Sequence, residues 1–152
     1  MRFLMVDTIV DLVPGRSVHA VKTLSPEEEL FRDHFPGFPV VPGVLLTEMM
    51  AQAAGKCLDA EDVDRGKAML AQIRSASFRR WVRPGERIDI HAEIKASAPS
   101  HATARCWIAV GGERAADAEL FFSFLRREAL AAGYRDEVLD RYHAARGVED
   151  MR

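Results

Sequence analysis

At 152 residues, 48% apolar and 29% charged, the chain has the size and composition of one soluble globular domain, able to bury roughly 70% of its unfolded surface without disulfide or structural metal. A formal net charge of -2 and a pI near 6.2 exclude affinity built on phosphate neutralisation, so no nucleic-acid partner is expected. The longest apolar segment, Val44 to Ala54, is interrupted by Thr47, Glu48 and Gln52 and falls short of the ~18 residues a membrane span needs, so no membrane partner is expected either.

The elements follow in chain order. "FLMVDTIVDLV" is rich in Val, Ile, Leu and Phe and is followed by Pro14-Gly15, which predicts a strand, a turn and a second strand through "SVHAVKTLS". Ser25-Pro26-Glu27-Glu28 combines an N-cap residue, a first-turn proline and acids, and predicts a short helical turn. Val44 to about Cys57 has no proline and is dominated by Leu, Met, Ala and Glu, good helix formers. Its apolar residues cover nearly the whole circumference, so the helix is expected to be buried on most sides.

Asp59 to Gly66 is polar and predicts a loop. Strands are predicted in "AMLAQIRSASFRRWV", which ends at Pro84-Gly85, in "RIDIHAEIKAS", which alternates Ile88, Ile90, Ala92 and Ile94 with polar residues, in "ATARCWIAV" and in "ADAELFFSFLR". Gly111-Gly112 between the last two is a hairpin signal. Two strands, one mostly apolar helix and four further strands are best satisfied by an α+β fold in which an antiparallel sheet wraps a central helix. Residues 128–152 are expected to be a helical extension to a domain of residues 1–127, with a stripe of Leu130, Tyr134, Val138 and Tyr142 docking on the sheet.

Chemistry concentrates in "HFPGFPVVPGVLLTEMMAQ", His34 to Gln52. Pro36, Pro39 and Pro42 fix backbone dihedrals and remove N–H groups, so this connection is stiff. Pro42-Gly43 precedes the helix and leaves the amides of Gly43 and Val44 at its start, where orphan N–H groups and the positive dipole end favour an oxyanion. Glu48 lies on a segment otherwise suited to burial; a desolvated carboxyl resists ionisation and so carries a proton to give, as a general acid must. Gln52 sits one turn on, within hydrogen-bond reach of Glu48. His34 brings the side chain that ordinarily titrates nearest neutrality and suits a general base.

Cys57 and Cys106 form no CxxC pair and the N-terminus lacks the pattern of a secretory leader, so a reducing cytoplasm is the expected compartment. His19, His91, His101 and His143 lack metal-ligand spacing, and no metal or cofactor is expected. "RSASFRRWVRPGER" sets Arg74, Arg79, Arg80, Arg83 and Arg87 against Glu86, either a solvated surface or a docking patch for an acidic partner.

The His34–Gln52 segment resembles the signature of the hot-dog-fold 3-hydroxyacyl-acyl-carrier-protein dehydratases of type II fatty acid synthesis. His34-Phe35-Pro36-Gly37, Pro39, Pro42-Gly43-Val44-Leu45, Glu48 and Ala51-Gln52 carry the likeness. Phe78-Arg79-Arg80 through Val82 and Pro84-Gly85-Glu86 match a second family feature, and the opening strands are similar as well, so the resemblance spans roughly residues 2–127. It implies a hot-dog fold, homodimers joined edge to edge and often assembled as hexameric trimers of dimers, and a site formed by His34 and Glu48 of opposite subunits. It also implies the reaction. The thioester carbonyl of a 3-hydroxyacyl chain on acyl carrier protein sits near the Gly43 N–H; His34, oriented by the Val40 carbonyl, removes the C2 proton; Glu48 protonates the leaving hydroxyl; a trans-2-enoyl thioester remains. Arg79, Arg80 and Arg83 would guide the acidic carrier.

Asp33 stands where the family commonly has glycine, Arg74 where many members have an acid or amide, and an aromatic gating residue is not evident in "RGKAMLAQ". The competing readings are a non-catalytic acyl-binding subunit and an acyl thioesterase. The intact His34 and Glu48 oppose the first, and hydrolysis on this fold does not call for that pair.

Overall fold

A computed structural model describes residues 2–130, 133 and 135–145. The elements are β1 (Thr8–Val13), β2 (Ser17–Lys22), α1 (Gly43–Asp59), β3 (Lys67–Phe78), β4 (Ile88–Ser97), β5 (His101–Val110), β6 (Glu113–Leu125), α2 (Arg127–Leu130) and α3 (Glu137–Ala145). The strands form one sheet ordered β1-β2-β4-β5-β6-β3, antiparallel throughout. The strand that follows α1 therefore crosses to the far edge, and the sheet curls around the helix in the expected α+β hot-dog arrangement.

Alternation explains the inner face. Ile88, Ile90 and Ala92 of β4, Ala104, Cys106 and Ile108 of β5, and Ala118, Leu120 and Phe122 of β6 are buried at every second position, as a half-buried strand requires. Met49, Met50, Ala54, Cys57 and Leu58 of α1 fill the space enclosed, each with 0% exposure. Truncating either methionine to alanine would cost about 2–5 kcal/mol. Alanines at 104, 116 and 118 leave room for the helix. Gly111 and Gly112 close the β5–β6 hairpin with φ of 59° and 80°, the positive values that a two-residue type I′ turn demands.

Four local expectations are corrected. The first strand begins at Thr8, not Phe3; Phe3–Val6 is an irregular strap with Met5 at 0% and Val6 at 2% exposure. Ser25 caps no helix: its Oγ accepts the Glu27 N–H at 3.1 Å, and helical geometry appears only as a 3-10 turn over Glu29–Arg32. The strand expected to reach Val82 stops at Phe78, because the N–H groups of Arg79 and Arg80 both donate to the Ala115 carbonyl, at 2.7 and 3.4 Å, which ends the ladder. Asp59 belongs to α1 and is fully buried; the Lys67 ammonium at 2.5 Å and the Ala68 N–H at 2.8 Å make that burial tolerable.

In the C-terminal part, Tyr134 lies outside the described residues, and Leu130 and Val138 are half-buried. The deeply buried side chain is Leu139, 4% exposed, with Tyr142 packed against the core. Asp136 sets this phase: its Oδ1 accepts the Leu139 N–H at 3.0 Å while Oδ2 accepts from Lys67, pinning the start of α3 to the core side.

Candidate active site

The proline-rich connection is held by its own backbone and by a neighbouring loop. The His34 N–H donates to the Leu30 carbonyl at 3.1 Å, Phe38 to Phe35 at 2.9 Å, Val40 to His34 at 3.2 Å and Val41 to Val82 at 2.7 Å. The His34–Phe35 peptide is cis. His34 Nδ1 lies 3.2 Å from the Val40 carbonyl oxygen. That oxygen can only accept, so Nδ1 carries the hydrogen and, in the neutral ring, Nε2 keeps its lone pair. His34 stacks on Phe35 with centroids 4.3 Å apart.

Pro42 caps α1 without a side-chain hydrogen bond. Its carbonyl accepts from Leu45 and Leu46 at 2.9 and 3.2 Å, which leaves the Gly43 and Val44 N–H groups without an acceptor among the described residues. A Cβ at Gly43 would meet the Phe78 ring at 3.1–3.2 Å, so glycine is what lets the aromatic ring close over the helix start. Val44 is 77% exposed.

Glu48 is half-buried in the single chain, less enclosed than its apolar neighbours suggest. Its Oε1 accepts from Gln52 Nε2 at 3.0 Å. The strap orients Gln52: the Met5 N–H donates to Oε1 at 2.9 Å, and Nε2 donates to the Phe3 carbonyl at 3.1 Å. Because Met5 offers only a donor and Phe3 only an acceptor, the amide has one satisfying orientation, with its NH2 toward Glu48. Lys56 follows one turn later, 8% exposed; burial lowers its pKa, with the Lys67 charge acting in the same sense. His34 and Glu48 of one chain share no hydrogen bond among the described residues.

The three arginines differ. Arg79 pairs with Asp117 at 2.6 Å, and Arg80 forks onto Glu86 at 3.1 and 3.2 Å and reaches Glu113 at 3.3 Å. The Arg80 hydrogen bonds hold the Glu86 carboxyl below its ordinary range. Arg83 instead lays its guanidinium 4.5 Å above the Phe38 ring, beside the His34 loop. Elsewhere His19 and His91 stack at 4.3 Å, and burial pushes the Cys57 and Cys106 thiols up to about 11 and about 12, far from nucleophilic use. Among the described residues no His, Cys, Asp and Glu cluster could hold a metal ion, and no helix is long and apolar enough to cross a membrane.

Sequence reasoning missed the strap, because Phe3 and Met5 read as ordinary strand residues, and the Arg83–Phe38 contact, because it joins loops far apart in sequence. The Glu48, Gln52, Lys56 spacing of four was a readable signal for a polar stripe on α1.

The model of the FabA-like domain matches residues 1–119. The chain belongs to the FabA-like family. Its relatives include the 3-hydroxyacyl-[acyl-carrier-protein] dehydratase FabZ of Ruminiclostridium cellulolyticum, 38% identical over 125 residues, 82% of this chain and 88% of that protein. The protein of the same name from Levilactobacillus brevis is 38% identical over 120 residues, 78% of this chain and 81% of that one. The dehydratase heterocomplex ApeI:P from Xenorhabdus doucetiae has a similar fold, with TM-score 0.66 at 18% identity over 84% of this chain and 87% of that one. The FabA-like match ends before α2 and α3.

Proposed function

We propose that the chain is a hydro-lyase that removes water from a 3-hydroxyacyl thioester on acyl carrier protein in fatty acid or related acyl-chain synthesis. The observation that carries this reading is the His34 imidazole, committed through Nδ1 to the Val40 carbonyl with Nε2 left to take a proton. The Gly43 N–H, at the positive end of α1, polarises the thioester carbonyl and acidifies C2, with Val44 supplying the next orphan amide. His34 removes the C2 proton. Glu48, oriented by Gln52, gives its proton to the departing hydroxyl, and the trans-2-enoyl thioester and water remain.

The acid and base come from opposite subunits of a homodimer in this reading. Support lies in β3, an edge strand of 12 residues whose Met69, Leu70 and Ile73 are 41%, 38% and 49% exposed in the single chain; a long apolar edge of this kind calls for a partner strand. Arg83, Arg79 and Arg80 form the docking face for the acidic carrier, and two buried free cysteines fit a reducing cytoplasm.

The test is hydration of crotonyl thioester and the reverse dehydration, followed by enoyl absorbance, for wild type, His34→Ala and Glu48→Gln. Turnover by wild type with a loss of at least ~100-fold in each variant is expected for removal of a general acid or base. A wild type inert on short and medium carrier-linked chains, or variants of undiminished rate, overturns the reading.

A further inference from the structure

Four hydrogen bonds join the C-terminal helix α3 to Glu48. The Tyr142 hydroxyl donates to the Val6 carbonyl. Val6 continues directly into the strap whose Met5 N–H and Phe3 carbonyl hold the two ends of the Gln52 amide, at 2.9 and 3.1 Å. Gln52 in turn donates to Glu48 at 3.0 Å. The Tyr142 ring also covers Lys56, whose ammonium stands 5.2 Å from the ring centroid and is one helical turn beyond Gln52 on the same side of α1.

Neither end of this chain of contacts is loose. At the α3 end, Asp136 accepts from Lys67 and Leu139 is 4% exposed. At the strap end, Met5 and Val6 are 0% and 2% exposed, and the Asp7 N–H donates to the Val21 carbonyl at 2.8 Å. The strap is thus gripped on one side by β2 and on the other by α3, and the segment between Val6 and Phe3 sets where the Gln52 amide points.

Resting on the dehydratase reading, we infer that Tyr142 is a positioning residue for the reaction: by clamping Val6 it fixes the strap that orients Gln52, and Gln52 presents the Glu48 carboxyl to the leaving hydroxyl. The helical extension outside the family's matched region is then part of the catalytic apparatus of this chain, because a carboxyl displaced by even about 1 Å loses much of its rate advantage.

Tyr142→Phe keeps the ring over Lys56 and removes only the hydroxyl. On the full-length protein, kcat is expected to fall about 3- to 10-fold, the range set by one hydrogen bond, with KM within about 2-fold. Because the effect passes through Gln52, the same substitution in a Gln52→Ala background is expected to change kcat by less than about 2-fold. Amide exchange at Met5, measured on the resting protein, is expected to quicken by about the same factor as kcat falls. A lowered melting temperature with unchanged kcat, an undiminished effect in the Gln52→Ala background, or unchanged Met5 exchange each overturns the inference. A wild type without turnover defeats the dehydratase reading and with it the catalytic role, whereas Met5 exchange still decides whether Tyr142 clamps the strap.

Discussion

Lys67→Met is the perturbation that most directly tests how this fold tolerates charge in its interior. Lys67 bridges Asp59 at 2.5 Å and Asp136, whose side chains are 0% and 8% exposed. Removing one partner of a buried ion pair costs about 3–5 kcal/mol. Each carboxylate keeps one backbone donor, Ala68 at 2.8 Å and Leu139 at 3.0 Å, so the lower end, ~3 kcal/mol, is expected. In a chain of this size 1 kcal/mol moves the midpoint by about 2–4 °C, which makes the fall roughly 6–12 °C. The readout is thermal denaturation by circular dichroism at fixed protein concentration.

The pH dependence supplies a second constraint on Lys67→Met. Burial raises the Asp59 pKa even against Lys67, whereas for Asp136 burial is outweighed by the Lys67 and Leu139 hydrogen bonds and its pKa falls. The depressed Asp136 thus stabilises the fold above its ordinary value of 3.8, and that contribution is lost as pH falls through its folded value. Asp59 has the opposite sign: its contribution is present below 3.8 and lost as pH rises through its raised folded value. Without the cation, both buried carboxyls favour protonation, so the gap between wild type and variant narrows from pH 7 toward about pH 4. A midpoint within 2 °C of wild type at pH 7, or a gap that does not shrink in acid, would refute the reasoning.

Arg83→Glu is expected to raise KM for a carrier-linked substrate about 3- to 10-fold while sparing a short pantetheine thioester; equal loss on both substrates removes Arg83 from docking. Gly43→Ala places a methyl 3.1–3.2 Å from the Phe78 ring. The substitution keeps the backbone N–H, and the ring is 47% exposed and can shift, so the melting temperature should stay within a few degrees while the methyl crowds the carbonyl's approach and kcat drops about 10-fold; wild-type kcat would show that the carbonyl does not lie over this end of the helix. Ile73→Lys adds a charge to the β3 edge and should shift sedimentation toward monomer; an intact dimer at low micromolar concentration places the interface elsewhere.

The central architecture was legible because its signals are local and periodic: alternation in β4 and β5, the Gly111-Gly112 turn and the helix-forming run after Pro42. The candidate site was legible because His34 through Gln52 keeps its parts within one segment. What escaped were pairings set by tertiary placement. Asp59 read as the start of a polar loop, since nothing in a linear pattern shows that Lys67 ties it to Asp136 in the core. Phe3 and Met5 read as strand because β-propensity reports side-chain fit to a sheet, whereas the Met5 N–H is claimed by Gln52.

These pairings share one physical logic. Glu48, Gln52, Lys56 and Asp59 fall within about 80° of one another around α1 at 100° per residue, so an otherwise apolar helix confines its charged groups and Gln52 to a single stripe, while buried Thr47, outside it, satisfies its hydroxyl on the Gly43 carbonyl. Around the rest of its circumference it packs against the sheet, where a charge would have no partner. The stripe has separate covers: the strap over Gln52, Tyr142 over Lys56, and Lys67 against Asp59. The Asp59 end and the Glu48 end have no hydrogen-bond partner in common, but both reach α3, through Lys67–Asp136 and through Tyr142, so loss of Lys67 falls on stability and, by loosening α3, on rate as well, whereas loss of Gln52 falls chiefly on rate. The structure sets Tyr142 between the two, touching the strap on one side and Lys56 on the other.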